Sequence, residues 1–266
     1  MKYLLSIFCL YSVTLFAKND DPTRLLFCYE DKELAPYFLG IGAHTPPDKP
    51  GASIELLQHI TQEIPHLSLT FIRQPWKRCL NDLKNNKVDA IIASHQLKRE
   101  TLGVYPKLNN QIDPSRALSA HGTCFIKRSE TPLLWDGQSL SGLIEPTIAL
   151  PSGYSSLEQL EQLPVKVVQT DSANTAHRLL KEKRVDLALS LCKISEKSPH
   201  LPQSQYAELE IIFPPLVVKH GYLVFSYRFY DTQSHIAETL WQKIITLDTT
   251  TIFNRYLDSS SSDLKK

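Results

Sequence analysis

Apolar and polar residues follow two different periods in the first half of the chain. Short apolar runs at residues 25–29, 67–72 and 88–93 predict buried strands. Between these runs, apolar residues recur at helical spacing, which predicts one helix from Pro50-Gly51 to Pro65 and another that opens at Pro75. The predicted order is strand, helix, strand, helix, strand.

The second half of the chain repeats this order. Strands are predicted at residues 147–150, 165–169 and 185–189. Helices are predicted between them, the first with Leu157, Leu160 and Leu163 on one face and the second running through Leu179-Leu180.

One tract of sequence supports a duplication. Residues 83–92 recur, changed but recognisable, as residues 180–189, and each copy joins the end of a helix to a strand. The fold class is therefore predicted as α/β with two lobes. Each lobe should be a mostly parallel sheet flanked by helices, with right-handed crossovers and a ligand cleft between the lobes.

Two segments are predicted to connect the lobes, residues 117–128 outward and residues 222–225 on the return. An amphipathic helix with Ile236, Leu240 and Trp241 follows the return. The predicted division is lobe one, residues 22–118 plus 222–258; lobe two, residues 119–221; and a flexible tail, residues 259–266.

The chain begins with a segment typical of export. Residues 1–17 contain one cation, Lys2, then an apolar run from Tyr3 to Phe16 and a small residue, Ala17. This pattern predicts a cleaved signal peptide and a periplasmic protein. The alternative is an uncleaved membrane anchor, although the apolar run is short for spanning a bilayer.

Composition narrows the choice of partner. A chain of 266 residues with 42% hydrophobic content can bury a sizeable core. Its formal net charge of +1 gives no field that would attract nucleic acid or a membrane surface. We therefore expect a monomer whose partner is a small molecule.

Four cysteines remain after the predicted signal, and an oxidising compartment would allow them to pair. Three pairings are possible. In one of them Cys28 joins Cys79 within the first lobe, and Cys124 then joins Cys192. The alternative is four buried thiols. The spacing contains no paired CxxC motif, so a zinc site is not expected. No cofactor is expected either.

Short motifs in both lobes follow one another in a particular order. They are Pro50-Gly51 with Glu55, Pro75-Trp76-Lys77-Arg78-Cys79-Leu80, Lys87-Val88-Asp89-Ala90, Ser94 with Arg99, Val104-Tyr105-Pro106, Ser152-Gly153-Tyr154-Ser155, and Arg184-Val185-Asp186. Together they resemble the family 3 extracellular solute-binding proteins, the periplasmic amino-acid-binding type of ABC importers. The resemblance covers most of the mature chain and implies a two-lobed flytrap that closes on its ligand by hinge motion.

The resemblance also implies a set of ligand contacts. By position, Arg99 would grip a ligand carboxylate with its planar fork, flanked by Ser94, His95 and Gln96. The alternative for Arg99 is a solvated surface arginine. The loop Ser152-Gly153-Tyr154-Ser155 would complete the cage from lobe two, and the alternative is an ordinary helix cap.

Further contacts are expected from residue type and position. Tyr29, Tyr37 and Trp76 would wall the cleft, the alternative being packing in the lobe core. Arg78 would supply a second cation, the alternative being a helix-surface charge. Glu30 follows the first strand, where ligands of such folds lie.

One departure from the family pattern concerns the ligand ammonium. Amino-acid binders of this type carry an acidic residue several positions after the second Val-Asp, but here the chain reads Leu189-Ser190-Leu191-Cys192-Lys193. Glu30 or Asp31 would have to substitute from lobe one, since a buried ammonium without a partner is costly. A carboxylated ligand without an amine is equally compatible.

These observations predict a binding protein without catalytic activity. It would capture a small polar metabolite, either amino-acid-like or another carboxylate, for an ABC-type importer. One alternative is a sensory module that reports ligand to a membrane receptor. Another is a dehydratase-like enzyme on the same fold, using Glu30, Asp31 and His95. The chain contains no HExxH, GxSxG or P-loop pattern.

Overall fold

The structure is a computed structural model that describes residues 22–194 and 208–262. The predicted signal peptide lies outside the described residues. Within the described ranges, no helix has both the length and the apolar character needed to cross a bilayer.

The first lobe has the predicted order of elements. They are β1 (Thr23–Glu30), α1 (Ala52–Gln62), β2 (Leu67–Gln74), α2 (Trp76–Lys84) and β3 (Ala90–Ser94). Strand β1 pairs in parallel with both β2 and β3. The unit predicted from the apolar periodicity is therefore confirmed.

A short segment leads from this unit to the first crossing strand. It contains a 3-10 turn (Leu97–Thr101), the small hairpin of β4 (Lys107–Leu108) and β5 (Gln111–Ile112), and a second 3-10 turn (Pro114–Arg116). Strand β6 (Ala117–Arg128) then spans the range predicted for the outward crossing.

The second lobe repeats the architecture. Its elements are a small hairpin of β7 (Leu134–Trp135) and β8 (Leu140–Ser141), then β9 (Thr147–Pro151), α3 (Leu157–Leu160), β10 (Lys166–Thr170), α4 (Ala173–Lys181) and β11 (Leu187–Ile194). Helix α3 is a single turn, so Leu163 lies beyond it, next to Pro164, which cannot continue a helix.

The return crossing is much longer than predicted. Strand β12 runs from Leu209 to Phe225, whereas the apolar pattern indicated only residues 222–225. Two prolines, Pro214 and Pro215, and the polar pair Lys219-His220 interrupt that pattern. Helices α5 (Tyr227–Thr246) and α6 (Thr249–Ser262) then return to lobe one, and α6 enters the segment predicted as a tail.

Eight of the twelve strands form one hydrogen-bonded ladder, in the order β10-β9-β11-β6-β12-β3-β1-β2. Two separate sheets were expected. The ladder is continuous because β6 and β12 pair with each other antiparallel, with an irregularity between Ile212 and Val217 around the two prolines. On either side of this pair lie three mutually parallel strands. The exact lobe boundaries stay a prediction.

The duplicated tract has the same structural role in both lobes. Asn86 and Lys183 each lie two residues after the end of a helix, in the left-handed conformation, with φ of 55° and 58°. Next, the carboxylate of Asp89 accepts the backbone N–H of Leu26 at 2.9 Å, and that of Asp186 accepts the N–H of Thr147 at 2.8 Å. Each aspartate thus fixes the start of its strand against the neighbouring strand.

Both faces of each half of the ladder are covered. In lobe one, α1, α5 and α6 pack over a core that contains Phe27, Phe225 and Trp241, and α2 packs on the other face. Two disulfides reinforce these layers, Cys28–Cys79 in lobe one and Cys124–Cys192 in lobe two. This is the pairing in which each bond stays within one lobe.

Candidate functional site

A cavity of about 300 Å³ lies between the lobes, beside the two crossing strands. Parallel strands end at its rim, as Glu30 ends β1 and Ser94 ends β3 on one side and Pro151 ends β9 on the other. Seven of the residues predicted for the site line it: Glu30, Tyr37, Trp76, Ser94, Arg99, Tyr154 and Ser155. A cavity of this volume is at the lower end of ordinary small-molecule sites.

Arg99 is buried at the cavity wall, with 6% of its surface exposed. Its guanidinium donates to the carbonyl of Ser94 at 3.0 Å and, across the cleft, to the carbonyl of Gly153 at 2.6 Å. It also lies 5.9 Å from the ring of Trp76, within cation–π range. Burial lowers its pKa. Arg99 has no ion pair with a carboxylate in the ranges that the structure describes.

Glu30 is also buried where the lobes meet, with 4% of its surface exposed. Its Oε2 accepts a hydrogen bond from the hydroxyl of Tyr154 at 2.9 Å. Burial raises the pKa of Glu30 to about 7, and repulsion by Asp31 adds to the rise. A cation placed beside this buried carboxyl would stabilise its ionised form.

Other polar bonds also join the lobes. Gln96 donates to the carbonyl of Ser155 at 2.8 Å and to the carboxylate of Glu158 at 2.7 Å. The indole N–H of Trp76 donates to the carbonyl of Gly153 at 3.3 Å. The lobes are therefore closed over the cavity, with the loop that carries Gly153 and Ser155 held against lobe one.

Five predicted residues do not line the cavity. Gln96 and Gly153 make the bonds between lobes just described. His95 pairs with Glu100 at 2.7 Å, Ser152 donates to Gln169 at 2.8 Å, and Arg78 projects 71% exposed next to Asp82. Their roles in binding stay predictions.

The acid in the cavity comes from lobe one. Leu189, Ser190 and Leu191 of β11 line the wall where the family pattern has a carboxylate. Glu33 also lines the cavity, but its carboxylate accepts the backbone N–H of Gly40 at 2.9 Å. Glu30 is thus the buried acid that faces both the cavity and lobe two.

The crossing strands contribute lining residues that were not predicted from the sequence. Ser119, His121 and Thr123 of β6 and Gly221 of β12 form the part of the lining next to the crossings. The sequence alone could have placed Ser119, His121 and Thr123 on one face of the strand, since alternate residues of a strand share a face. The sequence could not show that this face meets the cavity.

Helix α4 also reaches the cavity, through Asn174 and His177. The imidazole of His177 is within 2.9 Å of the carbonyl of Leu189, and burial lowers its pKa. Among the described residues, no group of three or more metal-binding side chains is positioned to hold an ion.

Among known proteins, only solved structures are found to be similar to this chain. No protein-family model matches the chain, and no curated protein matches it significantly. Solved structures do match. The GluR0 ligand-binding core from Nostoc punctiforme in complex with L-glutamate has a TM-score of 0.64 at 16% identity, over 88% of this chain and 98% of that chain.

Two further structures are similar to the same extent. An ancestral arginine-binding protein bound to arginine has a TM-score of 0.66 at 13% identity, over 89% of this chain and 97% of that one. The amino acid ABC transporter substrate-binding protein AbpA from Streptococcus pneumoniae, bound to L-arginine, has a TM-score of 0.65 at 14% identity, over 91% and 96%. At such identities the likeness establishes the fold, which is that of two-lobed periplasmic-binding proteins.

Proposed function

Because the chain has the fold of two-lobed binding proteins, we propose that it captures a small amino-acid-like or other carboxylate metabolite between its lobes. One observation carries this proposal. The cavity between the lobes is lined by a buried cation, Arg99, and a buried acid, Glu30, and each is hydrogen-bonded to the opposite lobe. Ligand binding and lobe closure would therefore use the same residues.

Arg99 is the residue that we assign to the ligand carboxylate. A guanidinium has five N–H donors, and a carboxylate would use its fork better than the backbone carbonyls that it meets in this closed form. Among the described residues Arg99 has no ion pair within about 4 Å, although the charge of Glu158 acts on it at longer range, so an anionic ligand group would compensate the cost of its desolvation.

Glu30 is the residue that we assign to the ligand ammonium. The wall formed by Leu189, Ser190 and Leu191 offers no carboxylate. A ligand cation beside Glu30 would favour the ionised carboxylate and lower its pKa. Binding of such a ligand should therefore release a proton near neutral pH and tighten as the pH rises through 7.

The transport role is part of the proposal. The segment at residues 1–17 is typical of a cleaved export signal, and two disulfides suit an oxidising compartment such as the periplasm. AbpA, one of the similar structures, belongs to an amino acid ABC transporter. We propose that this protein delivers its ligand to an inner-membrane permease. A sensory role is the second candidate, supported by the likeness to the GluR0 ligand-binding core.

Thermal-shift screening tests the proposal. The panel contains amino acids, polyamines, dicarboxylates and small peptides, and at least one carboxylated compound should raise the melting temperature. The compound should be recovered unchanged in mass after incubation, as expected for a binder and not for an enzyme. A panel in which no compound stabilises the protein would refute the proposed function.

Substitution of Arg99 makes the test specific to the site. Arg99→Ala should reduce affinity for the carboxylated compound by about ten- to a hundredfold, since a charge-assisted contact contributes roughly 1.5–3 kcal/mol. Isothermal titration calorimetry measures this change. Arg184→Ala removes an exposed arginine of lobe two and should leave affinity unchanged. Equal affinity in wild type and Arg99→Ala would remove Arg99 from the site.

A further inference from the structure

The crossing strands present a row of polar side chains to the cavity. Ser119, His121 and Thr123 alternate along β6, and all three line the cavity. Strand β6 lies between β11 and β12 in the ladder, so its backbone groups can pair on both sides. The backbone of β6 therefore holds the strand in the ladder, while the side chains of this row face the cavity.

His121, at the centre of the row, is a buried imidazole with unused hydrogen-bonding capacity. Its Nδ1 is enclosed and has no hydrogen-bond partner, while the edge of Tyr37 packs on the ring with centroids 5.7 Å apart. Burial lowers its pKa to about 4, and the charges of Lys219 and His220 add to this effect. The ring is thus neutral at physiological pH. Buried polar groups of folded proteins normally have partners, so the lone imidazole needs an explanation.

Lys219 of β12 is a buried cation next to this row. It is paired with His121 in the register of β6 and β12, which places both side chains on one face. Its ammonium donates to the hydroxyl of Ser155 and to Gln159, both at 2.9 Å. Burial, and then repulsion by Arg99, lowers the pKa of Lys219 to about 8.

The neutral imidazole can have its proton on either nitrogen. A proton on the enclosed Nδ1 would have no acceptor, so we assign the proton to Nε2. In that tautomer Nε2 is a donor. Gly221 lies opposite Ser119 in the register and leaves space beside the Ser119 hydroxyl, because a Cβ at Gly221 would lie 2.8 Å from the hydroxyl oxygen of Ser119.

We propose that Ser119, His121 and Thr123, with Lys219 beside them, form a subsite for an oxygen acceptor at the end of the ligand away from its α-carboxylate. This inference rests on the proposed function, since it concerns the same cavity. Arg99 takes the first carboxylate, Glu30 the ammonium and the crossing-strand row a second oxygen. The ligand class is then an amino acid with a carboxylate or amide side chain, not one with a cationic or apolar side chain.

Calorimetric titration with four named compounds tests the ligand class. L-glutamate or L-glutamine should bind wild-type protein at least tenfold more tightly than L-norleucine or L-arginine do. Tighter or equal binding of norleucine or arginine would overturn the inference and leave the proposed function intact. Binding of none of the four would also overturn it, whereas the proposed function fails only if the whole thermal-shift panel fails.

Substitution of His121 tests the subsite itself. His121→Phe keeps a ring against Tyr37 but removes both nitrogens, and it should weaken binding of the favoured compound at least tenfold. His220→Phe removes the adjacent histidine, which does not line the cavity, and should change affinity less than twofold. His121→Gln retains a side-chain donor and should recover part of the loss. Unchanged affinity in His121→Phe would contradict the proposal, and if that variant does not fold, unchanged affinity in Thr123→Val would do so.

Discussion

Glu30 shows how one buried carboxyl links stability to pH. It is the last residue of β1, and in this closed form its only side-chain hydrogen bond within the described residues is with Tyr154. The unfolded chain would ionise Glu30 near its ordinary pKa of 4.5, whereas burial holds the folded value at about 7. Between these values the folded protein binds more protons than the unfolded chain.

The free energy of unfolding should therefore fall as the pH rises from 4.5 to 7. The contribution of Glu30 is fully present below 4.5 and is lost as the pH passes 7, with a total on the order of 3 kcal/mol. Urea denaturation at a series of pH values measures it. Glu30→Gln should remove this part of the pH dependence, and Glu182→Gln, which removes an exposed carboxylate next to Arg178, should retain it. Identical profiles for wild type and Glu30→Gln would contradict the assignment.

At the scale of elements, the sequence predicted most of the fold. Parallel strands and amphipathic helices give strong periodic signals, and the repeated tract ending in Asp89 and Asp186 marked the same junction in each lobe. Strand β12 was mostly missed because Pro214, Pro215 and Lys219 interrupt its apolar pattern. Its pairing with β6 is a long-range property that local periodicity does not report.

The disulfides stabilise the elements that carry the site. Cys28 lies two residues before Glu30, and Cys79 lies in the helix that begins at Trp76. Replacing both cysteines with alanine should lower the free energy of unfolding by about 2–5 kcal/mol, because the bond restricts the unfolded chain. Urea denaturation measures the loss. The matched variant replaces Cys124 and Cys192, whose bond closes a loop of similar length, and should lose a similar amount. A loss below about 1 kcal/mol for both would contradict this account.

At the scale of the whole molecule, the site depends on how the lobes meet. The sequence and the family resemblance pointed to Arg99, Trp76 and Tyr154, which follow strands or open helices at the rim. They could not show that Gln96 would bind Ser155 across the cleft or that His121 would face the cavity. Those facts depend on the relative placement of two units far apart in sequence.

Closure should weaken when a bond between the lobes is removed. Tyr154→Phe deletes the hydroxyl that donates to Glu30 and should populate a more open form. We expect a larger radius of gyration by small-angle X-ray scattering and an affinity about fivefold lower, since one such bond contributes roughly 1 kcal/mol. Tyr227→Phe is the control, because the Tyr227 hydroxyl binds the carbonyl of Glu100 within lobe one. An unchanged radius together with unchanged affinity would contradict this role.

The two disulfides have a mechanical consequence. Cys28–Cys79 and Cys124–Cys192 each fasten neighbouring elements of a single lobe, and neither spans the gap. Each lobe can thus move as a rigid body, whereas the closed form depends on individually weak polar contacts that thermal motion can break and remake. Mild reductant should then make each lobe easier to unfold but leave the frequency of lobe opening nearly unchanged. Fluorescence energy transfer between dyes on the two lobes would measure that frequency.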